Sequence, residues 1–322
     1  SSLRKVQMNS HPVGSAVTVR TELIFGQEIR VFDITAARTD APSMYIQSGL
    51  HPNETTGCGV LHSLLARYES ESCPVNLRLV PHVNPLGWRT YIENGSGRVS
   101  YPNFINWNRI FSGDISALPD RPTIEQGMAD LLLRLSSGYD HVMDVHTPEC
   151  GWPHVYAPGL SGRLNIFDDL PHIIFAEPEL FTFADYHVRK SGRPESTTIR
   201  RSVTLELPSH RLQSVRDLDY WAQRLHDEIE SIRELRVPSS TPPALTGSMI
   251  DLNARIDGIC YLVAEPGQRC GAGDVIATIV DPQGNRDEIR AAVDVVPLCY
   301  RRSAVARAGG WAVRCLSLES RG

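Results

Sequence analysis

The sequence predicts an α/β fold, a mixed sheet with helices on both faces, followed by a small C-terminal all-β domain. Three observations carry this. From Ala16 to about Arg236, short apolar strand-like runs alternate with stretches of helical periodicity, the pattern of a sheet with crossover helices. The stretch "VPSSTPPALTG", residues 237–247, has the composition of a linker. Beyond it, "ARIDGICYLVAEPGQRCGAGDVIATIVDPQGN" consists of short strands punctuated by Gly and Pro-Gly turns. The expected division is a first domain over 1–236, a linker over 237–247 and a β unit over 248–322.

Taken in order, "TELIFGQEIRVFDI" reads as a hairpin turning at Gly26-Gln27. Tyr45 to Gly49 reads as a short buried strand and Glu54 to Tyr68 as the helix after it. "VNLRLVPHVNP" is a β-branched run ended by Asn84-Pro85. "TIEQGMADLLLRLSS" opens with Thr123 and Gln126 in capping-box spacing and carries apolar residues at helical intervals. "HVMDVHTPE", "HIIFAE" and "SVTLEL" read as further short strands, and an amphipathic helix from about Val215 to Leu235 closes the domain.

Bulk properties exclude several classes. Hydrophobic residues at 41% and charged residues at 21% place the chain among ordinary globular proteins, and a formal net charge of -5 gives no electrostatic footprint for nucleic acid. Seven scattered cysteines with no C-x-x-C pair argue against a disulfide framework or a cysteine zinc site, and fit a reducing cytoplasm. The N-terminus lacks an apolar h-region, and no run of about 18 apolar residues exists, so neither targeting nor membrane anchoring is expected.

Three strand ends carry one chemical theme. The turn "GLHPNETTG" holds His51 and Glu54, "VMDVH" ends in His146, and "VTLEL" holds Glu206. In an open α/β sheet the carboxyl ends of the strands line the ligand crevice, where residues distant in sequence meet. Two imidazoles and one carboxylate, with a position left for water, make a catalytic zinc shell and leave Glu206 for another task. Read singly, the same residues are ordinary: a hydrogen-bonded histidine at a strand end, or a helix-capping acid at Glu54. Asp144, two before His146, shares its strand face and either orients an imidazole or is merely a polar strand residue. His82 and His154 are the two further histidines near enough in sequence to compete as ligands. In "FINWNRIFSG", Asn108 and Arg109 sit in an apolar setting, where a guanidinium wants a partner. A substrate carboxylate would satisfy it, with Asn108 adding a donor, and so would a local acid such as Asp114.

"GLHPNETTG", "VNPLGW", "NWNRIFSG", "DVHT" and "TLEL", in this order, resemble the succinylglutamate desuccinylase and aspartoacylase family, a branch of the zinc carboxypeptidase-like hydrolases. The motifs span Gly49 to Glu206, and the C-terminal β unit is similar to the family's appended domain, so the likeness covers most of the chain. The resemblance implies one Zn2+ per chain held by His51, Glu54 and His146. It implies that Glu206 takes a proton from the zinc-bound water and delivers it to the leaving amine. It also implies that Asn108 and Arg109 grip the carboxylate of the amino-acid portion, and that an arginine shortly before them steadies the carbonyl oxygen. Arg98 is the choice for that role and Arg89 the reserve. Pro52-Asn53 after the first His, Trp107 between Asn106 and Asn108, and Pro208-Ser209 after "TLEL" depart from the family's pattern and bear on substrate identity more than on reaction type.

The expected activity is removal of an acyl group from an N-acyl amino acid or related small amide, with a carboxypeptidase acting on short peptides as the alternative. A lipoyl-type carrier, suggested by "GQRCGAGDVIATIVDPQGN", fails because no lysine follows Lys190 to bear the cofactor. The expected partner is a small-molecule substrate, with no nucleic acid and no membrane, in the cytoplasm, and a homo-oligomer is left open. Arg200 and Arg201 could meet a second substrate carboxylate or be solvated strand-edge charges.

Overall fold

The computed structural model describes residues 16–111, 122–157, 167, 169–175, 182–191, 201–209, 214–233, 244–301 and 305–318. The first hairpin joins β1 (Ala16–Ile24) to β2 (Gln27–Thr35) in antiparallel register. Its turn is Phe25-Gly26, one residue earlier than expected. Both residues have positive φ (47° and 77°), the geometry whose twist suits a two-residue hairpin. There follow β3 (Ser43–Ser48), α1 (Thr55–Tyr68), β4 (Asn76–Val80), α2 (Pro85–Asn94), α3 (Ile124–Ser136) and β5 (His141–His146). Two short strands, β6 (Cys150–Gly151) and β7 (His154–Tyr156), precede β8 (His172–Phe175), α4 (Phe183–Ser191), β9 (Arg201–Glu206) and α5 (Val215–Arg233).

The C-terminal part contributes β10 (Ala244–Asn253), β11 (Gly258–Leu262), β12 (Val275–Val280), β13 (Arg286–Arg290), β14 (Val295–Tyr300), β15 (Val305–Ala306) and β16 (Trp311–Leu318). Among the described residues these strands make a 12-stranded sheet, in the order β1-β2-β4-β3-β5-β9-β7-β8-β10-β16-β14-β6, and a separate sheet β13-β12-β11-β15. The large sheet is mixed, with β3, β4, β5 and β9 parallel and antiparallel pairs toward both edges. The α/β class with an added β unit is therefore the observed architecture. β10 starts at Ala244, inside the stretch expected as a linker, and pairs in parallel with β8. Residues 237–243 of that stretch lie outside the described residues.

Alternation along the central strands divides the core. Met44, Ile46, Met143, Val145, Val203 and Leu205 pack with apolar residues of α1 and α5 on one face. Tyr45 and Val142 point to the other, where α3 and Phe183 of α4 cover them. The second face also carries Gln47, Asp144 and His146, which follow Tyr45 and Val142 in steps of two. α3 begins with the expected capping box, Thr123 and Gln126 each bonding the other's backbone N–H. α2 starts at Pro85 behind Asn84, whose side chain accepts from the N–H of Gly87 at 2.8 Å.

Candidate active site

The turn after β3 explains why its side chains point into the crevice. Gly49 closes the strand at φ 73°, and a Cβ there would lie 3.0 Å from Cys58 Sγ and 3.3 Å from the Pro81 carbonyl, so the bend needs glycine. Gly57, one turn into α1, lets the helix start against Ser48 and Val145. His51 and Glu54 are thereby lodged between the ends of β3 and β5, both buried.

Glu54 occupies the N-cap position of α1 but makes no side-chain cap bond. Its carboxylate turns to the crevice instead. Oε1 lies 2.9 Å from His51 Nδ1 and accepts from Arg98 Nη1 at 2.7 Å. Oε2 lies 2.8 Å from His146 Nδ1 and accepts from the Thr147 N–H at 3.0 Å. Burial opposes its ionisation, but the two imidazoles and their hydrogen bonds hold the carboxyl well below its ordinary range.

The outer nitrogens of the two histidines fix their tautomers. His51 Nε2 is 2.9 Å from Asn106 Oδ1, an atom that also accepts from the Asn108 N–H and is therefore the amide oxygen. His146 Nε2 is 2.7 Å from Asp144 Oδ2. Both Nε2 atoms therefore carry hydrogen, and in the neutral imidazoles both Nδ1 lone pairs face the carboxylate of Glu54. Imidazole lone pairs and a carboxylate converging on one point favour a cation among them. Burial, helped by the charge of Arg98, lowers His51 to about 4, so this ring is not itself the cation. Burial also works against charge on His146, but the Asp144 and Glu54 carboxylates raise it well above its ordinary value, so without a metal this ring holds a proton on Nδ1 against Glu54, in the place a bound cation would take. These atoms of His51, Glu54 and His146 all lie within 4.8 Å of one another, and this is the metal-capable group among the described residues. A divalent ion with a preference for imidazole and carboxylate fits that donor set.

Across the sheet, His146 of β5 lies beside Glu206 of β9, which lies beside His154 of β7. Glu206 faces the same cavity and makes no side-chain hydrogen bond to a described residue. Burial pushes its carboxyl up to about 7, with the Glu54 charge adding and His146 opposing. The cavity, about 400 Å³, is also lined by Arg98, Asn108 and Arg109. Arg109 donates to the Asn108 carbonyl at 2.7 Å and has no ion-pair partner among the described residues; Asp114, its candidate local acid, lies outside them. Asn108 Oδ1 accepts from the Phe183 N–H at 3.1 Å, which ties the Asn-Arg turn to the start of α4. Arg89, the reserve for the carbonyl role, projects from α2 and pairs with Glu93 on the surface.

Of the two competing histidines, His82 stacks against His62 and Trp88 rather than joining the group. His154 lines the cavity with Nδ1 bonded to the Trp152 carbonyl at 2.6 Å, and it is not among the clustered atoms. Arg200 lies outside the described residues, and Arg201 opens β9. The C-terminal strands also line the cavity, through Met249, Leu298, Cys299, Trp311 and Arg314. No motif announced these residues. Their approach depends on β14 pairing with β6, a short edge strand that follows β5 in the chain.

Residues 40–162 match the family model described as the succinylglutamate desuccinylase/aspartoacylase catalytic domain. The family found is the one that the motifs resemble. The matched segment holds His51, Glu54, Asn108, Arg109 and His146, while Glu206 lies beyond it. No curated protein matches the sequence. Similar folds occur in a succinylglutamate desuccinylase/aspartoacylase family protein from Shewanella amazonensis, 20% identical with a TM-score of 0.72, covering 94% of this chain and 98% of that one. An aspartoacylase family protein from Mesorhizobium loti is 16% identical with a TM-score of 0.68, covering all of both chains. The product-bound ectoine utilization protein EutE from Ruegeria pomeroyi is 19% identical with a TM-score of 0.68, covering 96% of each chain. At these identities the likeness to the desuccinylase/aspartoacylase structures is one of fold.

Proposed function

We propose that this chain is a zinc-dependent amidohydrolase that removes the acyl group from an N-acyl amino acid or a related small amide. The observation that carries this reading is the convergence of His51 Nδ1, His146 Nδ1 and the Glu54 carboxylate with both outer nitrogens already occupied. His51, Glu54 and His146 would hold the ion, which when bound polarises the amide carbonyl and makes a water nucleophilic near neutral pH. Glu206 accepts the proton of that water at its carboxylate as the oxygen adds to the acyl carbon. It returns the proton to the amide nitrogen as the C–N bond breaks, giving a free amine and a carboxylic acid. Arg98 places a guanidinium at the carbonyl oxygen as negative charge develops there. Asn108 and Arg109 hold the substrate's carboxylate, Arg109 through a bidentate pair.

A cavity of about 400 Å³ lined in part by the C-terminal strands favours a small substrate over an extended peptide. A panel of N-acyl amino acids and dipeptides, assayed with zinc-loaded protein, tests the reading. N-acyl amino acids should be cleaved, and Glu206→Gln should lower kcat/KM by about 10²- to 10⁴-fold with zinc content unchanged. Cleavage of peptides alone would replace the deacylase with the carboxypeptidase alternative.

A further inference from the structure

The two candidate ligand histidines are oriented by unlike partners. His51 leans on a neutral amide, Asn106, whereas His146 leans on a carboxylate with no exposure to solvent. A buried carboxylate is costly unless both oxygens are satisfied. Asp144 Oδ2 accepts from His146, and Oδ1 accepts from Gln47 Nε2 at 3.0 Å. Gln47 is itself held, its Oε1 accepting from the Tyr45 hydroxyl at 2.8 Å. All three side chains are fully buried. The parallel register that sets Gln47 beside Asp144 puts Tyr45 beside Val142, so the three polar groups share one sheet face and run toward the crevice. Among the described residues the one ion pair of Asp144 is with His146.

We infer that Gln47, backed by Tyr45, is a positioning residue that fixes the Asp144 carboxylate on His146 Nε2 and so tightens metal binding. The inference rests on the metal-centred reading above. A carboxylate held at the outer nitrogen makes the imidazole a stronger donor and limits its rotation, and loss of such a partner typically weakens metal affinity 10- to 100-fold. Gln47 acts one bond further out. Gln47→Met keeps the buried volume while removing both hydrogen bonds, and Tyr45→Phe removes the outer bond alone.

Zinc affinity is measured by competition with a chelator for wild type and both variants, alongside thermal melting of the metal-free proteins. The expected result is an affinity about tenfold weaker for Gln47→Met and about threefold weaker for Tyr45→Phe. A purely structural role would lower the melting temperature and leave zinc affinity unchanged, and that outcome would overturn the inference. If Gln47→Met does not fold, Tyr45→Phe decides by the same criterion. Wild-type protein that takes up no zinc would instead overturn the proposed function, whereas zinc-binding wild type with variants of equal affinity would overturn this inference alone.

Discussion

At position 54 a glutamate precedes a 14-residue helix, where local bonding would turn its carboxylate onto the free N–H groups of the first turn. It goes to His51, His146, Arg98 and the Thr147 N–H instead, so the tertiary site overrides the cap. His51 and Glu54 were legible because they sit in the turn between a strand-like run and a helical one, His146 because it ends a strand, and Asp144 because a spacing of two sets it on the face of His146. Asn106 and Gln47 were not legible as partners, since their contacts depend on cross-strand register and loop closure that no local pattern encodes. His154 supplies a test at this scale. It is buried, its ring edge-on to Tyr156 with centroids 4.6 Å apart, and burial lowers it to about 4, from an ordinary value of 6.5. A folded value below the unfolded one means the neutral ring contributes stability above pH 6.5 that is lost as pH falls toward 4. Denaturant titrations should show wild type losing about 2–3 kcal/mol more than His154→Gln between pH 7 and 4.5. Parallel losses in the two proteins would contradict this.

Most elements were legible from periodicity and punctuation. The Thr123 capping box, the end of the β4 run ahead of Asn84-Pro85 and the short strands β3 and β5 agree with the structure, whereas the helix α2 that starts at Pro85 was not expected. The hairpin turn came one residue earlier than expected because Phe25 accepts a positive φ ahead of Gly26, a conformation that residue type rarely signals. Among the elements, the β3–α1 turn is the least tolerant. Gly49→Ala places a Cβ against Cys58 and the Pro81 backbone at positive φ. It should cost about 1–3 kcal/mol in denaturant unfolding and displace His51 and Glu54 enough to weaken metal uptake. A variant of wild-type stability and metal uptake would show that the turn relaxes freely.

Across the whole molecule, the C-terminal segment does more than append a unit. β10, β14 and β16 extend the large sheet, and their side chains line the same cavity as Glu206. The sequence marked this segment as β-rich, but joining β10 to β8 and β14 to β6 requires pairing over about 70 and 150 residues, beyond the reach of any periodicity argument. The same long-range assembly brings the His51, Glu54 and His146 group together from the β3–α1 turn and the end of β5. The measurement that tests this account most directly is elemental analysis of the purified protein after zinc loading, wild type beside His146→Ala. About one zinc per chain in wild type, lost in the variant, is the predicted result. Wild-type protein that retains no zinc, or a variant that retains as much, would contradict the assignment of His51, Glu54 and His146 as a metal centre.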